Sequence, residues 1–233
     1  MTRPLDPDEL RGLLALEIRT PLRSLQGRET FLHRTAAGDA LVVKRSRPGA
    51  RPGGRREHEA LVRLLELGFP VPASLGFAAG PDGSVVAMER VAHVETARDR
   101  LAVAAVPERR ELLARIADML ARLHLAGWCH RDFYAHHVLL REPDRALVII
   151  DVGRAGRAPL PRWRWFVKDA GALLSSLPAS VGERERLACL ARYLDAREVF
   201  ERGARRRFVR AALAKARRIA GRTPRDERAI PTR

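Results

Sequence analysis

The chain has 233 residues, of which 46% are hydrophobic and 31% are charged, and this balance excludes an intrinsically disordered protein. Its formal net charge of +16 at pH 7 points to an anionic partner, such as a nucleic acid, a phosphorylated ligand or an acidic membrane surface. No apolar run approaches the ~20 residues of a membrane span and no secretory signal is visible. The two cysteines, Cys129 and Cys189, have no disulfide or zinc spacing, so we expect a cytoplasmic protein.

The first part of the chain predicts a β-rich region bordered by helices. In chain order, the pattern predicts a helix over residues 7–18, strands over 29–35 and 40–45, a cationic loop over 47–54, a helix over 55–67 and a strand over 84–88. Gly38 lies in the turn between the first two strands, and Gly68 ends the second helix. These elements predict a small β-rich lobe with one helix after its hairpin.

The rest of the chain is predicted to be mainly helical. A helix over 107–126 ends at Gly127, an apolar strand over 146–150 runs directly into Asp151, and two or three further helices fill 165–220. We therefore expect an α+β fold with a β-rich lobe over residues 1–92, a helical lobe over 93–233 and a cleft between them.

Lysine is rare among the basic residues. Of 44 basic side chains 41 are arginine, and the three lysines are Lys44, Lys168 and Lys215. A compact ammonium on a flexible stem is not interchangeable with a planar guanidinium, so a pressure that turns surface lysine into arginine spares positions where arginine cannot serve. The three lysines are therefore candidates for specific roles.

The end of the chain carries more than half of the net charge. Residues 200–233 hold twelve basic side chains against three acidic ones, a net charge of +9. Phe200, Phe208 and smaller apolar residues fall near one helical face, and a second set of side chains projects elsewhere: Arg205, Arg206, Arg210 and Arg217. Two interpretations are open, a docking surface for an anionic membrane and a solvated helical face.

Four ionisable groups occur in an order that suits phosphoryl transfer. Lys44 lies in a predicted strand, Glu57 on the next helix, Asp132 in the loop motif His-Arg-Asp, and Asp151 at the end of the apolar strand. Phosphoryl transfer needs a cation on the nucleotide phosphates, an acid that positions this cation, a carboxylate on a metal ion and a carboxylate near the attacking hydroxyl.

Glu57 is the predicted partner of Lys44. It shares a helical face with Ala60 and Leu61, so its carboxyl group should face the β-rich lobe. Glu59 lies off this face and is the alternative partner.

The strings HRDFYAHHVLL at 130–140 and VIIDVGRA at 148–155 resemble the lipopolysaccharide kinase (Kdo/WaaP, InaA-like) family of the protein-kinase-like superfamily. Residues 57–72 and 162–176 resemble further segments of that family. The resemblance implies a protein-kinase-like fold in which ATP and Mg²⁺ serve to phosphorylate a sugar hydroxyl, a heptose or Kdo, of the lipopolysaccharide inner core. It also implies an acceptor linked to lipid A and a peripheral location on the inner face of the inner membrane.

The resemblance assigns a role to each group of the constellation. Asp132 corresponds to the catalytic carboxylate that orients the acceptor hydroxyl, and Asp151 to the magnesium ligand. Lys44 corresponds to the lysine on the nucleotide phosphates, with Glu57 as its partner. His137 stands where kinases in general carry asparagine, and imidazole is a poorer magnesium ligand than a carboxamide oxygen. His137 is therefore expected to bond a phosphate or a metal-bound water, or to fix the loop.

Several neighbours of the constellation have expected supporting roles. The resemblance implies that His130 braces Asp151 through the backbone and that Asp169 holds the catalytic loop. His124 is expected to be a satisfied core histidine. Gly27 is the only candidate for a glycine-rich phosphate loop ahead of the first clear strand, so this loop is degenerate.

Two other functions compete with the sugar kinase. An aminoglycoside- or choline-type phosphotransferase has the same lobes, but its cationic acceptors need acidic pockets, which a basic chain disfavours. A basic pseudokinase-like adaptor, on nucleic acid or membrane, is disfavoured because Lys44, Asp132 and Asp151 are intact. We therefore expect ATP, a lipopolysaccharide sugar and an anionic membrane as partners, and no nucleic acid.

Overall fold

The computed structural model describes residues 3–17, 20–25, 27–49, 54–199 and 201–221. These residues fall into two compact units. The first contains the described residues up to Ala92 together with Asp151–Gly153, and the second contains His93–Ile150 and the residues from Arg154 onward.

The first unit is built on a five-stranded antiparallel sheet in the order β1-β2-β3-β5-β4. Its strands are β1 (Arg23–Leu25), β2 (Arg28–Arg34), β3 (Ala40–Ser46), β4 (Ser74–Gly80) and β5 (Gly83–Glu89). Two helices accompany the sheet, α1 (Pro7–Ala15) and α2 (Gly54–Glu66). Helix α1 begins at a capping box of Asp6 and Glu9, which satisfies the first backbone donors.

The pleat of β3 separates a core face from a polar face. Leu41 and Val43 are buried and pack with Leu10 and Leu13 of α1 in one apolar cluster. Because side chains alternate along a strand, Lys44 points to the face opposite Val43. The residue opposite Lys44 in β5 is Val86, which lies close to the start of α2 at Gly54. The alternation therefore directs Lys44 towards α2.

The second unit is mainly helical. Its elements are β6 (His93–Thr96), α3 (Ala97–Val103), α4 (Val106–Leu125), β7 (Trp128–Cys129), β8 (Val138–Arg141), β9 (Leu147–Ile149), β10 (Gly156–Arg157), α5 (Trp163–Ser176), α6 (Glu183–Ala196) and α7 (Arg202–Ala220). The strands form two small antiparallel sheets, β6-β8-β9 and β7-β10. Helix α5 packs against α7, and α4 packs against α6. Among the described helices, none combines the length and the apolarity that a bilayer crossing requires.

Helix α7 carries the basic face predicted from the sequence, with one correction. Phe208 and Ala212 are buried, whereas Arg206, Arg210 and Arg217 are exposed. Arg205 does not belong to the exposed set: its Nη1 lies 2.6 Å from Asp195 Oδ1 and 2.9 Å from the Val199 carbonyl oxygen. Arg205 therefore ties α7 to the end of α6, a contact that a helical projection of α7 alone does not contain. Phe200 and residues 222–233 lie outside the described residues.

The predicted elements occur in the structure with small shifts at their ends. The first helix stops at Ala15 because Leu16 adopts an extended conformation, rather than continuing to residue 18. Strand β4 was not predicted, because its sequence SLGFAAG is rich in glycine and alanine, which have low strand propensity. Pairing with β5 supplies the hydrogen bonds that keep this segment extended. Helix α3 and strands β1, β6, β7, β8 and β10 were also not predicted.

Candidate active site

Three of the predicted site residues meet in the first unit. Lys44 Nζ donates to Glu57 Oε1 at 2.6 Å and to Asp151 Oδ1 at 2.8 Å. Lys44 comes from β3, Glu57 from α2, and Asp151 stands two residues after β9. The alternative partner, Glu59, is exposed. The ammonium group of Lys44 is therefore held between two carboxylates from distant parts of the chain.

Burial and charge act against each other in this trio. Burial by itself lowers the pKa of Lys44, but the carboxylates of Glu57 and Asp151 outweigh it and the pKa is raised. Burial also raises the pKa of Glu57, whose side chain is only 3% exposed. The Asp151 side chain is 42% exposed, so this carboxylate remains accessible from solvent.

The glycine of the Asp-Val-Gly triplet makes room for the trio. A Cβ atom on Gly153 would lie 3.3 Å from Glu57 Oε2, closer than an ordinary van der Waals contact. Any larger residue at this position would push the Glu57 carboxyl group away from its present site.

The loop 130–132 is presented by the small sheet of the second unit. Helix α4 ends at Leu125, Gly127 turns the chain with a φ of 77°, and β7 then pairs with β10. Arg131 and Asp151 both have left-handed backbones, with φ of 70° and 56°. Such conformations cost about 1–3 kcal/mol for residues other than glycine and concentrate at functional sites. Two of the four such residues in the described part of the chain thus lie in the predicted site segments, and the other two, Arg145 and Glu198, lie elsewhere.

A buried polar network holds this loop in place. The His130 backbone N–H donates to Asp169 Oδ2 at 2.7 Å, and His130 Nε2 donates to the Ile150 carbonyl oxygen at 3.1 Å. His124 Nε2 lies 3.2 Å from the same Asp169 oxygen, and His124 Nδ1 lies 2.6 Å from the Tyr193 hydroxyl. His124, His130 and Asp169 are all buried. Three helices, α4, α5 and α6, thus fix the backbone just ahead of Asp132.

His124 should make the stability of the chain depend on pH. Burial lowers the pKa of His124, because desolvation outweighs the attraction of Asp169. The unfolded chain, with a histidine pKa of ~6.5, then binds more protons than the folded chain as pH falls below that value. The stabilisation is present above ~6.5 and is lost towards the lower folded pKa, at up to about 1.4 kcal/mol per pH unit.

Urea denaturation at about pH 7.5 and about pH 5.5 measures this loss. His124→Gln should lose less stability between the two pH values than the wild type, because glutamine does not titrate. His33→Gln, on β2 of the first unit, is the control and should keep the wild-type pH dependence. Equal pH dependence in wild type and His124→Gln would contradict the assignment.

His137 contacts the backbone of the loop that carries Asp132. Its Nδ1 lies 2.9 Å from the carbonyl oxygen of Asp132, and because a carbonyl only accepts, Nδ1 carries the proton. The Ile150 backbone N–H donates to the His137 carbonyl oxygen at 2.9 Å. The contact with Asp132 agrees with a role in fixing the loop, and a bond from His137 to a phosphate or to a metal-bound water stays a prediction. Tyr134 stacks on His136 with ring centroids 5.2 Å apart.

Two cationic side chains contact the carboxylate of Asp132. Arg154 Nη1 lies 2.9 Å from Asp132 Oδ2, and Lys168 Nζ lies 3.6 Å from Asp132 Oδ1. The Arg154 side chain is 64% exposed, whereas the Lys168 side chain is 22% exposed. Neither residue belongs to the motifs that predicted the site. The rarity of lysine was the signal for Lys168, and the run between Asp151 and Asp169, with five basic and no acidic residues, was the signal for Arg154.

Arg131 and the three remaining arginines of the run between Asp151 and Asp169 add positive charge to the same unit. The guanidinium groups of Arg131 and Arg164 lie 4.7 and 5.3 Å from the ring centroid of Trp165. Arg157 and Arg162 both approach Gly127, to 3.9 and 4.0 Å from a Cβ built there. Within the described ranges, the ion pairs include none for these four arginines. The second unit therefore places two cations on the Asp132 carboxylate and carries four further arginines near Gly127 and Trp165.

The donor set fits a magnesium ion that shares its ligands with a nucleotide. Among the residues that the structure describes, no group of three or more histidine, cysteine, aspartate or glutamate side chains could hold a metal alone. Magnesium is commonly bound by one or two carboxylates together with substrate phosphates. The accessible Asp151 carboxylate supplies such a hard oxygen ligand.

The position expected for a phosphate loop is a tight hairpin turn. Gly27 has a φ of 75° and lies between β1 and β2, and its carbonyl oxygen accepts from the Arg47 N–H at 2.8 Å. The neighbouring Gln26 lies outside the described residues.

Comparison with solved structures identifies the fold. An aminoglycoside-3'-phosphotransferase of type VIII matches with a TM-score of 0.61 at 20% identity, over 88% of this chain and 97% of that chain. The aminoglycoside phosphotransferase APH(3'')-Id from Streptomyces rimosus matches with a TM-score of 0.59 at 17% identity, over 84% of this chain and 92% of that chain. At these identities the likeness establishes the protein-kinase-like fold and nothing about the acceptor.

Sequence comparison identifies the family. The lipopolysaccharide core heptose(I) kinase WaaP of Escherichia coli strain K12 is 33% identical over 73% of this chain and 72% of its own length. The enzyme of the same name from Pseudomonas aeruginosa is 30% identical over 76% of this chain and 74% of its own length. The model of the lipopolysaccharide kinase (Kdo/WaaP) family matches residues 32–193. The chain therefore belongs to the lipopolysaccharide kinase (Kdo/WaaP) family, as the motifs at 130–140 and 148–155 predicted.

Proposed function

We propose that the chain is an ATP-dependent kinase that phosphorylates a sugar hydroxyl, a heptose or Kdo, of the lipopolysaccharide inner core. The observation that carries this proposal is the pairing of Lys44 with both Glu57 and Asp151 in a member of a lipopolysaccharide kinase family. An adaptor that only binds has no need to bury Glu57 beside an ammonium group, because such burial is costly without a function for the charges. The relatives that are named as heptose(I) kinases support the acceptor class.

In this proposal each group has one task. Asp132 accepts the proton of the acceptor hydroxyl while the oxygen of that hydroxyl forms a bond to the γ-phosphorus of ATP. The bond between the γ-phosphorus and the β–γ bridging oxygen breaks, and the bridging oxygen leaves with the electron pair on ADP. Lys44 binds the nucleotide phosphates, Glu57 holds Lys44 in place, and His137 keeps the backbone of Asp132 in position.

Asp151 would hold Mg²⁺, which, when bound, neutralises charge on the β- and γ-phosphate oxygens. The exposed fraction of the Asp151 side chain and its position beside Lys44 support this role.

The cationic surroundings of Asp132 favour an anionic or neutral sugar over an aminoglycoside. Lys168 and Arg154 contact the Asp132 carboxylate, and four further arginines of the same unit form no ion pair within the described part of the chain. A polycationic acceptor would be repelled by these groups, whereas a sugar that carries carboxylates or phosphates would be attracted.

An ATP-consumption assay with three classes of acceptor tests the proposal. We expect turnover with purified lipopolysaccharide inner core or Kdo-lipid A, and only background ATP consumption with a panel of aminoglycosides. Turnover with the aminoglycosides alone would assign the chain to the competing small-molecule phosphotransferases. Absence of ATP binding would favour the adaptor.

We also propose that α7 docks on an anionic membrane surface, where a lipid A-linked acceptor is found. Arg206, Arg210 and Arg217 are exposed on one side of the helix, opposite the buried Phe208. None of the three forms an ion pair within the residues that the structure describes. Each basic side chain near an anionic leaflet adds about 1 kcal/mol of binding, so three or four suffice for reversible peripheral association.

Vesicle sedimentation tests this docking. Binding to vesicles that contain anionic lipid should weaken steeply as salt rises, because the attraction falls off within a Debye length of about 8–10 Å. Replacing Arg206, Arg210 and Arg217 with glutamine should reduce binding without changing turnover on a soluble acceptor fragment.

A second triple variant with the same change in net charge tests whether the position of the replaced arginines matters. Arg63, Arg141 and Arg192 each form an exposed ion pair and lie outside α7. Replacing these three with glutamine lowers the net charge by the same amount and should leave most vesicle binding intact. Equal losses in the two triple variants, or binding that salt does not affect, would contradict docking through α7.

A further inference from the structure

Lys168 has an environment that the proposed roles leave unexplained. It lies on α5 directly before Asp169, whose carboxylate accepts from the His130 backbone N–H. The α5 backbone at this point is therefore tied to the catalytic loop, and the lysine stem starts from a rigid base. Its side chain is 22% exposed, and its ammonium group lies 3.6 Å from Asp132 Oδ1.

The distance between Lys168 Nζ and Asp132 Oδ1 is too long for a full charge-assisted hydrogen bond. Charge-assisted N–H to O bonds are usually about 2.7–2.9 Å long. Burial lowers the pKa of Lys168, since Asp132 only partly compensates for the desolvation of the ammonium group. Arg154, by contrast, reaches the same carboxylate at 2.9 Å from a largely exposed position. Asp132 thus already forms an ion pair with Arg154. Lys168 is a second, partly buried cation beside the same carboxylate.

The distances that phosphoryl transfer requires indicate which group would lie beside Asp132 and Lys168 during the reaction. The acceptor oxygen must lie about 2.6–3.2 Å from an Asp132 oxygen for proton transfer. The phosphorus atom must then approach that oxygen to about 3–3.5 Å. A donor 3.6 Å from Asp132 Oδ1 lies within reach of the non-bridging oxygens of a phosphoryl group in this position. Negative charge on those oxygens is what a fixed cation stabilises in the transition state.

We propose that Lys168 is a catalytic residue that donates a hydrogen bond to the transferred phosphoryl group. After Asp132 the catalytic loop continues Phe-Tyr-Ala, without a cation. The retention of lysine in a chain with 41 arginines agrees with a site that needs a compact ammonium group. This inference rests on the proposed kinase function.

The competing explanation is that Lys168 only orients Asp132, and a double-mutant cycle separates the two. The affinity of ADP with Mg²⁺ is measured with and without aluminium fluoride, which mimics the phosphoryl group in transfer. The chains compared are wild type, Lys168→Met, Asp132→Ala and the double variant. If Lys168 touches the phosphoryl group, Lys168→Met weakens the fluoride complex by about 10²–10³-fold, as for loss of one preorganised donor. The ADP complex should stay within a factor of about three, because it lacks the phosphoryl group.

The cycle contradicts the proposal if the effect of Lys168→Met disappears in the Asp132→Ala background, which would make Lys168 a positioning residue. Equal weakening of the ADP and fluoride complexes would also overturn it. Lys215→Met is the matched control, because Lys215 lies on α7 with its stem packed against Gly171 of α5, and its loss should leave both affinities unchanged. No acceptor is needed, so a wrong acceptor class does not affect the result. A wild-type chain that binds no ADP overturns the kinase function and this inference with it.

Discussion

Replacing Asp132 or Asp151 with asparagine is expected to lower kcat by about 10²–10⁴-fold, the range for loss of a general base or of a preorganised charge. Asparagine has the same shape as aspartate but neither accepts the proton of the acceptor hydroxyl nor provides the charge for a metal ion. Steady-state phosphorylation of the lipopolysaccharide acceptor measures kcat, and thermal unfolding establishes that the fold is intact.

Asp118→Asn is the control for this prediction. Asp118 forms an exposed ion pair with Arg192 on the outer surface of α4, and such pairs contribute about 0–1 kcal/mol. This variant should keep wild-type turnover. Near-wild-type kcat in Asp132→Asn or in Asp151→Asn would show that the constellation is not the site of chemistry.

Lys44→Arg is expected to have an effect of similar size. Lys44 Nζ lies at 2.6 and 2.8 Å from two carboxylate oxygens, and a branched, planar guanidinium is too large for this space. The substitution keeps the charge but displaces Glu57, Asp151 or the nucleotide phosphates. We expect kcat/KM for ATP to fall by about 10²-fold or more, since misplacement of about 1 Å has that cost.

Lys215→Arg provides the matched comparison. It makes the same substitution in the same arginine-rich chain, at a lysine on α7 whose stem packs against Gly171 of α5. It should retain wild-type kcat/KM. Full activity in Lys44→Arg would reduce the rarity of lysine to a coincidence of composition.

The local elements of the site could be predicted because each depends on short-range patterns. The inward face of α2 follows from the helical spacing of Glu57 with Ala60, Leu61 and Leu64, all of which are buried. The hairpin of β2 and β3 follows from two apolar runs and Gly38. Asp151 could be placed at a strand end because the run before it is apolar and ends there.

The contacts of Lys168 and Arg154 with Asp132 could not be predicted in the same way. The Lys168 contact depends on how α5 lies on the loop that carries Asp132, which Asp169 and His124 determine through buried hydrogen bonds, and the Arg154 contact depends on the path of the chain after β9. No periodicity in the sequence of α5 contains that information. For Arg205 the sequence pattern led to a wrong prediction. A helical projection places Arg205 on the exposed basic face, whereas in the structure it forms an ion pair with Asp195 of the preceding helix.

Helix α7 packs against the buried side chains that support the loop ahead of Asp132. Phe208 stacks on Tyr193 with ring centroids 5.2 Å apart, and the Tyr193 hydroxyl leads through His124 and Asp169 to the backbone N–H of His130. Shortening the chain before α7 would therefore open the core beneath Tyr193 as well as remove the basic surface. For protein engineering, a tag or fusion partner is better attached beyond residue 221, and the charge of α7 is better changed by surface substitution than by deletion.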